Sequence, residues 1–372
     1  MVKAVLCLKT VSFTYTTNEG TALPGYLPKS DLFGNDLNYG DPFSTPGLPF
    51  VFGSQRDIRP DAIQGGWITQ DTILNTQLGK TKGNSLNLNA TIEPYKDLRI
   101  TLSATRSYNE NYTSVFRYDN ITQSYQDFNA MTTGNFSIST ITWRTAFKGF
   151  DKDNNYASET FDKFLNMRNE MAFRQAGLNP NWSGQVNNDP LSPNFGFPEG
   201  YGKTSQEVLV PSFIAAYSGR TAKAQSLNPF PAIPLPNWRV TYDGLAKIPA
   251  LKKIFKNLTV SHSYRSSYNV GSFVSDLKFG ENNGGASTFN NDGDFISRYA
   301  LSGGVSISEQ FGPLIGFDMT LQNSLLARFE IKKTRTLNLS INNNQLNEIT
   351  NDEIVIGTGY VIKNVTLPLK IG

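Results

Sequence analysis

The chain has 372 residues, a formal net charge of +3, 38% hydrophobic side chains and 17% charged ones. No run of 18 apolar residues occurs, which excludes a transmembrane helix. No lysine and arginine cluster is long enough for a nucleic-acid footprint, so no nucleic acid is expected as a partner, and the single cysteine, Cys7, excludes an intramolecular disulfide framework and a CxxC metal site.

A transmembrane β-barrel survives these exclusions. Its strands are apolar only on alternate residues, and a charged fraction below the roughly one quarter usual in soluble domains favours it. The opening MVKAVLCLKT has too short an apolar core for a signal peptide, and Val11, Phe13 and Tyr15 already alternate, so the chain is expected to be an internal piece of a longer protein. Residues 2–17 read as one strand. A Gly/Pro-rich loop with LPGYLP and DPFSTPGLPF follows to Gly66, and 66–78 reads as an extracellular strand or the start of a crossing.

Residues 84–105 give the clearest hairpin. Leu86, Leu88, Ala90 and Ile92 lie on even positions, EPYKD turns the chain, and Leu98, Ile100, Leu102 and Ala104 are even again. Pairing 92 with 98 puts all eight on one face. Tyr108, Tyr112, Phe116 and Tyr118 lie past this apolar stretch, where an interfacial girdle is expected, the alternative being a Tyr-rich surface ribbon.

Residues 136–146 read as a further strand, and 148–236 as a helical and Pro-rich insertion between two strand-bearing parts, 1–147 and 237–372. In the insertion, Ser158 caps a helix that carries Phe161, Phe164, Leu165 and Met171 on one side and stops at Gly177. Asp162, Lys163, Arg168, Glu170 and Arg174 form its wet face. VLVPSFIAAY follows at 208–217, then NPFPAIPLPNW as a stiff polyproline-type spacer.

Strands resume with Trp238, Val240 and Tyr242, cross a connection containing IPALKKIF, and return through Leu258, Val260, His262 and Tyr264. If the 93–97 turn and the 245–257 connection share one side, the upward strand from 98 and the downward strand from 237 complete the crossings between them. The 136–146 segment and the helix then form an extracellular excursion.

After a loop at 275–296, residues 301–341 place Leu301, Val305, Ile307, Ile315, Phe317, Met319, Leu321, Leu325, Ala327, Phe329, Ile331, Leu337, Leu339 and Ile341 on odd positions. With interruptions at 309–313, 322–324 and 332–336, this reads as a meander of four antiparallel strands, each near the roughly 9–11 residues that cross a bilayer. Asp318, Arg328 and Glu330 on the other parity suit a wet lumen. If the odd face meets lipid, arginine at Phe317 or Leu339 costs about 2–4 kcal/mol. IVIGTGYVI gives another strand, and the chain ends at LPLKIG without a barrel's closing aromatic residue.

No catalytic, cofactor-binding or metal residue is assigned, and neither an enzyme activity nor a cofactor is expected. His262, the one histidine, lacks a nucleophile motif and reads as a wall residue. DKD at 151–153 and NDGD at 291–294 lack calcium-loop spacing and read as turns. The Asn-x-Ser/Thr triplets at Asn89, Asn111, Asn257 and Asn338 read as composition.

TALPGYLP, FPAIPLPNWRVTYDGLAKI, ISEQFGPLIGFDMTLQNSLLARFE, NNQLNEI and EIVIGTGYVIK resemble the C-terminal region of the giant outer-membrane translocon of the Bacteroidota type IX secretion system, the gliding-motility cell-surface protein family (SprA/Sov type). The resemblance implies a fragment of a large antiparallel transmembrane β-barrel with long extracellular loops, a wide lumen and a lateral opening, in the outer membrane of a Gram-negative bacterium. It exports folded cargo proteins with C-terminal signals to the cell surface. The implied partners are outer-membrane lipid, the cargo, an outer-membrane shuttle protein, and plug and periplasmic accessory subunits. Two other readings stand beside it. One is a TonB-dependent-type outer-membrane transporter, which needs a plug and a TonB box, neither visible. The other is a soluble cell-surface adhesin or carbohydrate-binding β-domain using Trp67, Trp143, Trp182 and Trp238.

Overall fold

The computed structural model describes residues 7–31, 33–36, 46–151, 153–360 and 362. The first residues of the expected opening strand, part of the DPFSTPGLPF loop, Val361 in the last expected strand and the LPLKIG end lie outside them. In chain order the elements are β1 (Leu8–Ala22), α1 (Leu48–Val51), α2 (Arg59–Gln64), β2 (Leu78–Tyr95), β3 (Leu98–Asp119), β4 (Ser124–Ser139), α3 (Glu159–Leu178), α4 (Gln206–Tyr217), β5 (Asn237–Tyr242), α5 (Pro249–Lys252), β6 (Phe255–Ser275), β7 (Tyr299–Ala300), β8 (Val305–Leu321), β9 (Leu325–Ser340) and β10 (Gln345–Tyr360). The fold is all-β. All ten strands lie in one antiparallel sheet of order β1-β2-β3-β4-β6-β8-β9-β10, with β5 also seated between β3 and β6.

β4 and β5 are two halves of one column. β4 pairs with residues 106–119 of β3, and β5 with residues 98–103 of the same strand. On the other side they meet 267–275 and 260–264 of β6. The sheet is therefore eight columns wide, and the chain leaves the fourth column midway, at Ser139, to make the insertion before re-entering at Asn237. The 96–97 turn and the 243–254 connection lie at the same end of the sheet, as the crossing argument requires. The strand expected at 136–146 instead ends at Ser139, with a 3-10 turn at Trp143–Thr145.

Three expectations are corrected by register. Ile92 pairs with Ile100, not Leu98, because a bulge follows Ile92 and only Tyr95 meets Leu98 across the Lys96–Asp97 turn. The slip is two residues, so all eight apolar side chains still share a face. The 301–341 meander is two long strands rather than four. Phe311 pairs with Lys333 and Ile315 with Ile331, so 309–313 is not a turn: β8 carries two extra residues there as a bulge, and 332–336 of β9 stays in the ladder. The 66–78 segment is neither strand nor crossing. Ile68 makes an isolated bridge to Tyr26, and Trp67, Ile68, Ala62 and Leu78 form a small core with Phe116.

The insertion departs from its expected form in four details. Ser158 Oγ accepts from Phe161 N at 3.3 Å as expected, but α3 runs through Gly177 and ends at Leu178, with Asn179 as its C-cap. Arg168 and Arg174 are not simply wet, since their guanidinium groups donate to the carbonyls of Lys203 and of Ala222 and Gln225. VLVPSFIAAY lies within α4, a helix buried all round from Val208 to Tyr217. Pro211 has no N–H to give the carbonyl of Glu207, and Gln175 Nε2 from α3 takes its place at 3.0 Å. The proline-rich spacer is docked, with Leu235 N on the Ser139 carbonyl and Arg106 Nε on the Pro231 carbonyl.

α3 and α4 pack on one half of one sheet face. Their Phe164, Leu209, Phe213 and Tyr217 meet Phe136 and Ile138 of β4, Tyr268 and Val270 of β6, Val305 and Ile307 of β8, and Leu337 and Leu339 of β9. Leu337, fully buried at this junction, is the sharpest probe of it. Leu337→Ala should destabilise the fold by about 2–5 kcal/mol and raise amide exchange along α4 first, as read by denaturant melts and hydrogen exchange.

Candidate apolar wall and its charged seam

Residues paired across neighbouring strands share a face, so the register defines one surface over all eight columns. At the short-turn end its rows are Val11, Phe13 and Tyr15; Leu88, Ala90 and Ile92; Ile100 and Leu102; Val240 and Tyr242; Leu258 and Val260; Phe317 and Met319; Ala327 and Phe329; and Ile354 and Ile356. Among the described residues none of these side chains belongs to a buried cluster. On the two edge strands Phe13 is 67% and Ile356 73% exposed. Such a band is far larger than the scattered apolar residues of an ordinary surface.

The opposite face of the same rows is polar: Ser12 and Thr14, Asn87 and Asn89, Arg99 and Thr101, Thr241, Ser261, Asp318, Arg328 and Lys332. Its charges pair among themselves, with Glu330 under Arg328 and Lys332 and Asp318 3.5 Å from Arg328. Two tight turns, 96–97 and 322–324, and the 243–254 connection lie at the end next to the band, whereas the described parts of the 23–77 and 276–298 loops and of the 140–236 insertion, with the turns at 120–123 and 341–344, lie toward the other end.

One row separates the bare half of this face from the half covered by α3 and α4. There Glu309 and Arg335, both almost wholly buried, pair across β8 and β9 with Nη2 to Oε2 at 2.8 Å. Thr142 and Tyr264 donate to Glu309 Oε1 at 2.6 and 2.8 Å. Arg335 donates to the Thr145 carbonyl and hydroxyl at 2.8 and 2.9 Å, and Thr145 Oγ1 donates to the Tyr217 carbonyl at 2.7 Å. The network ties the start of the insertion, the end of α4 and three wall strands together.

An aromatic cluster lies one row from this pair, toward the bare half of the face, and the four aromatics expected past the 84–105 hairpin are not part of it. Trp238 stacks on Tyr264 at 4.4 Å, Phe311 lies 5.0 Å from Tyr264, and Phe147 lies 5.2 Å from Phe311. Tyr108 instead packs on Phe230 and Phe273 beneath the insertion, and Phe116 and Tyr118 pack on Tyr125. His262 is part of the wall beside the β8 bulge, its Nδ1 2.7 Å from the Leu314 carbonyl. Leu339 is covered by the insertion, so the lipid-facing assignment made for it from parity is corrected, while Phe317 stays in the bare band. Of the four tryptophans, Trp67 is buried at 5% and Trp143 is 48% exposed, so they form no common exposed platform.

Sequence reasoning missed Glu309 and Arg335 because it read both neighbourhoods as breaks. The available signal was three charges, Glu309, Lys333 and Arg335, on the otherwise apolar odd parity. Breaking a buried pair leaves one charge uncompensated. Glu309→Leu and Arg335→Met should each cost about 3–5 kcal/mol; because Glu348 Oε1 also lies 3.8 Å from Arg335 Nη1, it is the triple variant with Glu348→Gln that should recover most of that loss in denaturant melts.

Among the described residues no group of histidine, cysteine, aspartate and glutamate side chains could hold a metal ion. Asn290 Oδ1 accepts from the backbone of Asp292 and Asp294, a turn arrangement, and Asp294 Oδ1 accepts from Gly202 N. A cleft of about 270 Å³ between α4, residues 227–230 and residues 297–301 is lined by Gln175, Glu207 and Arg298. It is smaller than most sites for drug-sized ligands.

Burial at this cleft pushes the Glu207 carboxyl up to about 7. A raised carboxyl favours the folded form while protonated, so its contribution is full below the ordinary carboxylate range and is lost as pH rises through 7. Wild-type stability should fall between about pH 4.5 and 7, and Glu207→Gln should flatten that slope in melts across the range. Compared with known proteins, the chain matches no family model and no curated protein sequence.

Proposed function

We propose that this chain is a wall segment of a large outer-membrane β-barrel whose bare apolar rows face lipid and whose polar face lines a water-filled lumen. The observation that carries the reading is the eight-column apolar band, continuous in register, uncovered by any buried cluster and backed by a polar face. A bilayer demands that combination, because strands must satisfy every backbone group in the ladder while offering lipid only alternate side chains. The short connections at one end and the long loops and insertion at the other match the periplasmic and extracellular sides of such barrels.

The sequence resemblance to the type IX secretion and gliding-motility translocon supports a more specific role. The segment contributes wall and outer surface to a protein-conducting channel that exports folded cargo with C-terminal signals. An outer-membrane shuttle protein and plug and periplasmic accessory subunits are its partners, in the outer membrane of a Bacteroidota bacterium. The insertion occupies the lipid-side face of the wall above the band, on the extracellular side. No residue carries out a reaction. A TonB-dependent-type barrel shares the wall but not the sequence resemblance, and a sugar-binding β-domain draws no support from the dispersed tryptophans.

Phe317→Arg and Phe329→Arg should each cost about 2–4 kcal/mol near the bilayer midplane, whereas Thr320→Arg on the polar face should be tolerated. Folding into phospholipid vesicles, followed by heat-modifiable mobility, checks this. Equal tolerance of arginine on both faces would remove the lipid-facing assignment. In cells, loss of cargo export with normal levels of the protein after substitutions confined to the polar face would bear on the channel role.

A further inference from the structure

The 243–256 segment, DGLAKIPALKKIFK, joins β5 to β6 at the short-turn end of the band, its last two residues being the first of β6. It holds four lysines against one aspartate, an excess of three that equals the net charge of the whole chain. Lys247 pairs with Asp97, but among the described residues no carboxylate lies within ion-pair distance of Lys252, Lys253 or Lys256, all of them exposed. Ile248 and Ile254 beside them are 44% and 52% exposed. The connection is firmly built. Asp243 N donates to the Asp97 carbonyl at 3.0 Å, Gln322 Nε2 to the Lys252 carbonyl at 2.8 Å and Gln322 N to the Ile254 carbonyl at 3.0 Å, which fastens it to the turns on both sides. Tyr242 and Leu258, from the last rows of the apolar band, flank it in sequence.

From this juxtaposition we propose that the connection is an anchor for anionic phospholipid headgroups, with Lys252, Lys253 and Lys256 binding phosphates and Ile248 and Ile254 entering the acyl boundary; it rests on the lipid-facing reading of the band. Lysines interleaved with exposed isoleucines at the rim of an apolar surface have the chemistry of an interfacial segment, in which apolar insertion and attraction to negative headgroups add. Held between two turns, the segment loses little further freedom on binding.

The test uses the full chain with Cys7→Ser and a single fluorescent label at Ile254→Cys or Phe317→Cys. It is folded into phosphatidylcholine vesicles with or without phosphatidylglycerol, and each label is quenched by headgroup spin labels or by acyl-chain bromines. Headgroup quenching at position 254 should rise with phosphatidylglycerol, and the rise should vanish in K252E/K253E/K256E, at about five-fold in local affinity for each lysine removed. Acyl-chain quenching at 317 should be strong in every mixture. Quenching at 254 that ignores phosphatidylglycerol or the triple substitution overturns the anchor. Protection of 254 from water without lipid quenching also overturns it, in favour of a protein contact. Quenching at 317 with none at 254 removes the anchor alone, and no lipid quenching at 317 removes the wall reading itself.

Discussion

The buried pair of Glu309 and Arg335 stands where one face of the sheet changes its cover. On one side of that row the face lies under α3 and α4, and on the other it lies bare. A charge in such a place costs several kcal/mol unless it is paired and hydrogen-bonded. Here the partners come from both sides of the seam: Tyr264 from the wall, and Thr142, Thr145 and, through Thr145, the Tyr217 carbonyl from the insertion. The requirement to satisfy both ions fixes the height at which the insertion sits, and with it the extent of face left uncovered. Tyr264 and Phe311 then fall on the same boundary.

The divided fourth column follows the same logic of satisfaction. An insertion that leaves a sheet midway exposes backbone groups at the break, and away from water each unsatisfied group costs several kcal/mol. The break is closed by local bonds. Leu235 N donates to the Ser139 carbonyl at 3.0 Å, Ser139 Oγ donates to the Leu235 carbonyl at 2.7 Å, and Ser266 N donates to Asn237 Oδ1 at 2.8 Å. Thr140 N reaches the Ser266 carbonyl at 3.0 Å. These bonds bridge the short lapse of the ladder between β4 and β5, at 104–105 of β3 and 265–266 of β6, so the insertion is an outgrowth of one sheet.

Period-two alternation made the strands and their shared face legible, since parity survives a register error of two residues, as at Ile92 and Ile100. It could not reveal how long each strand runs. Gly312 and Pro313 resemble a turn in sequence but form a bulge within β8, and Lys332 to Thr336 look like a polar loop only while Arg335 lacks its buried partner. Nor could parity say what covers a face. Leu339 and Phe317 share parity and surface, yet one meets α4 and the other meets no buried cluster, a difference created by residues more than a hundred positions away. The same limit applies to Tyr108 and Phe116, which alternate as interfacial residues would but are claimed by long-range packing on Phe230, Phe273 and Tyr125.

The edge strands constrain how the wall extends. With eight columns all paired antiparallel, β1 and β10 run in opposite directions. In the proposed barrel these edges would pair with each other or be met by further antiparallel strands, and both solutions preserve one continuous surface. The exposed rows on both edges, Val11 and Phe13 on β1 and Ile354 and Ile356 on β10, carry the apolar band to the last hydrogen-bonding column on each side. A strand added at either edge must repeat the alternation at the same height, because a slip of one residue would turn its polar side chains onto the apolar surface. In such a barrel the band would set the register of an added strand as well as the backbone does.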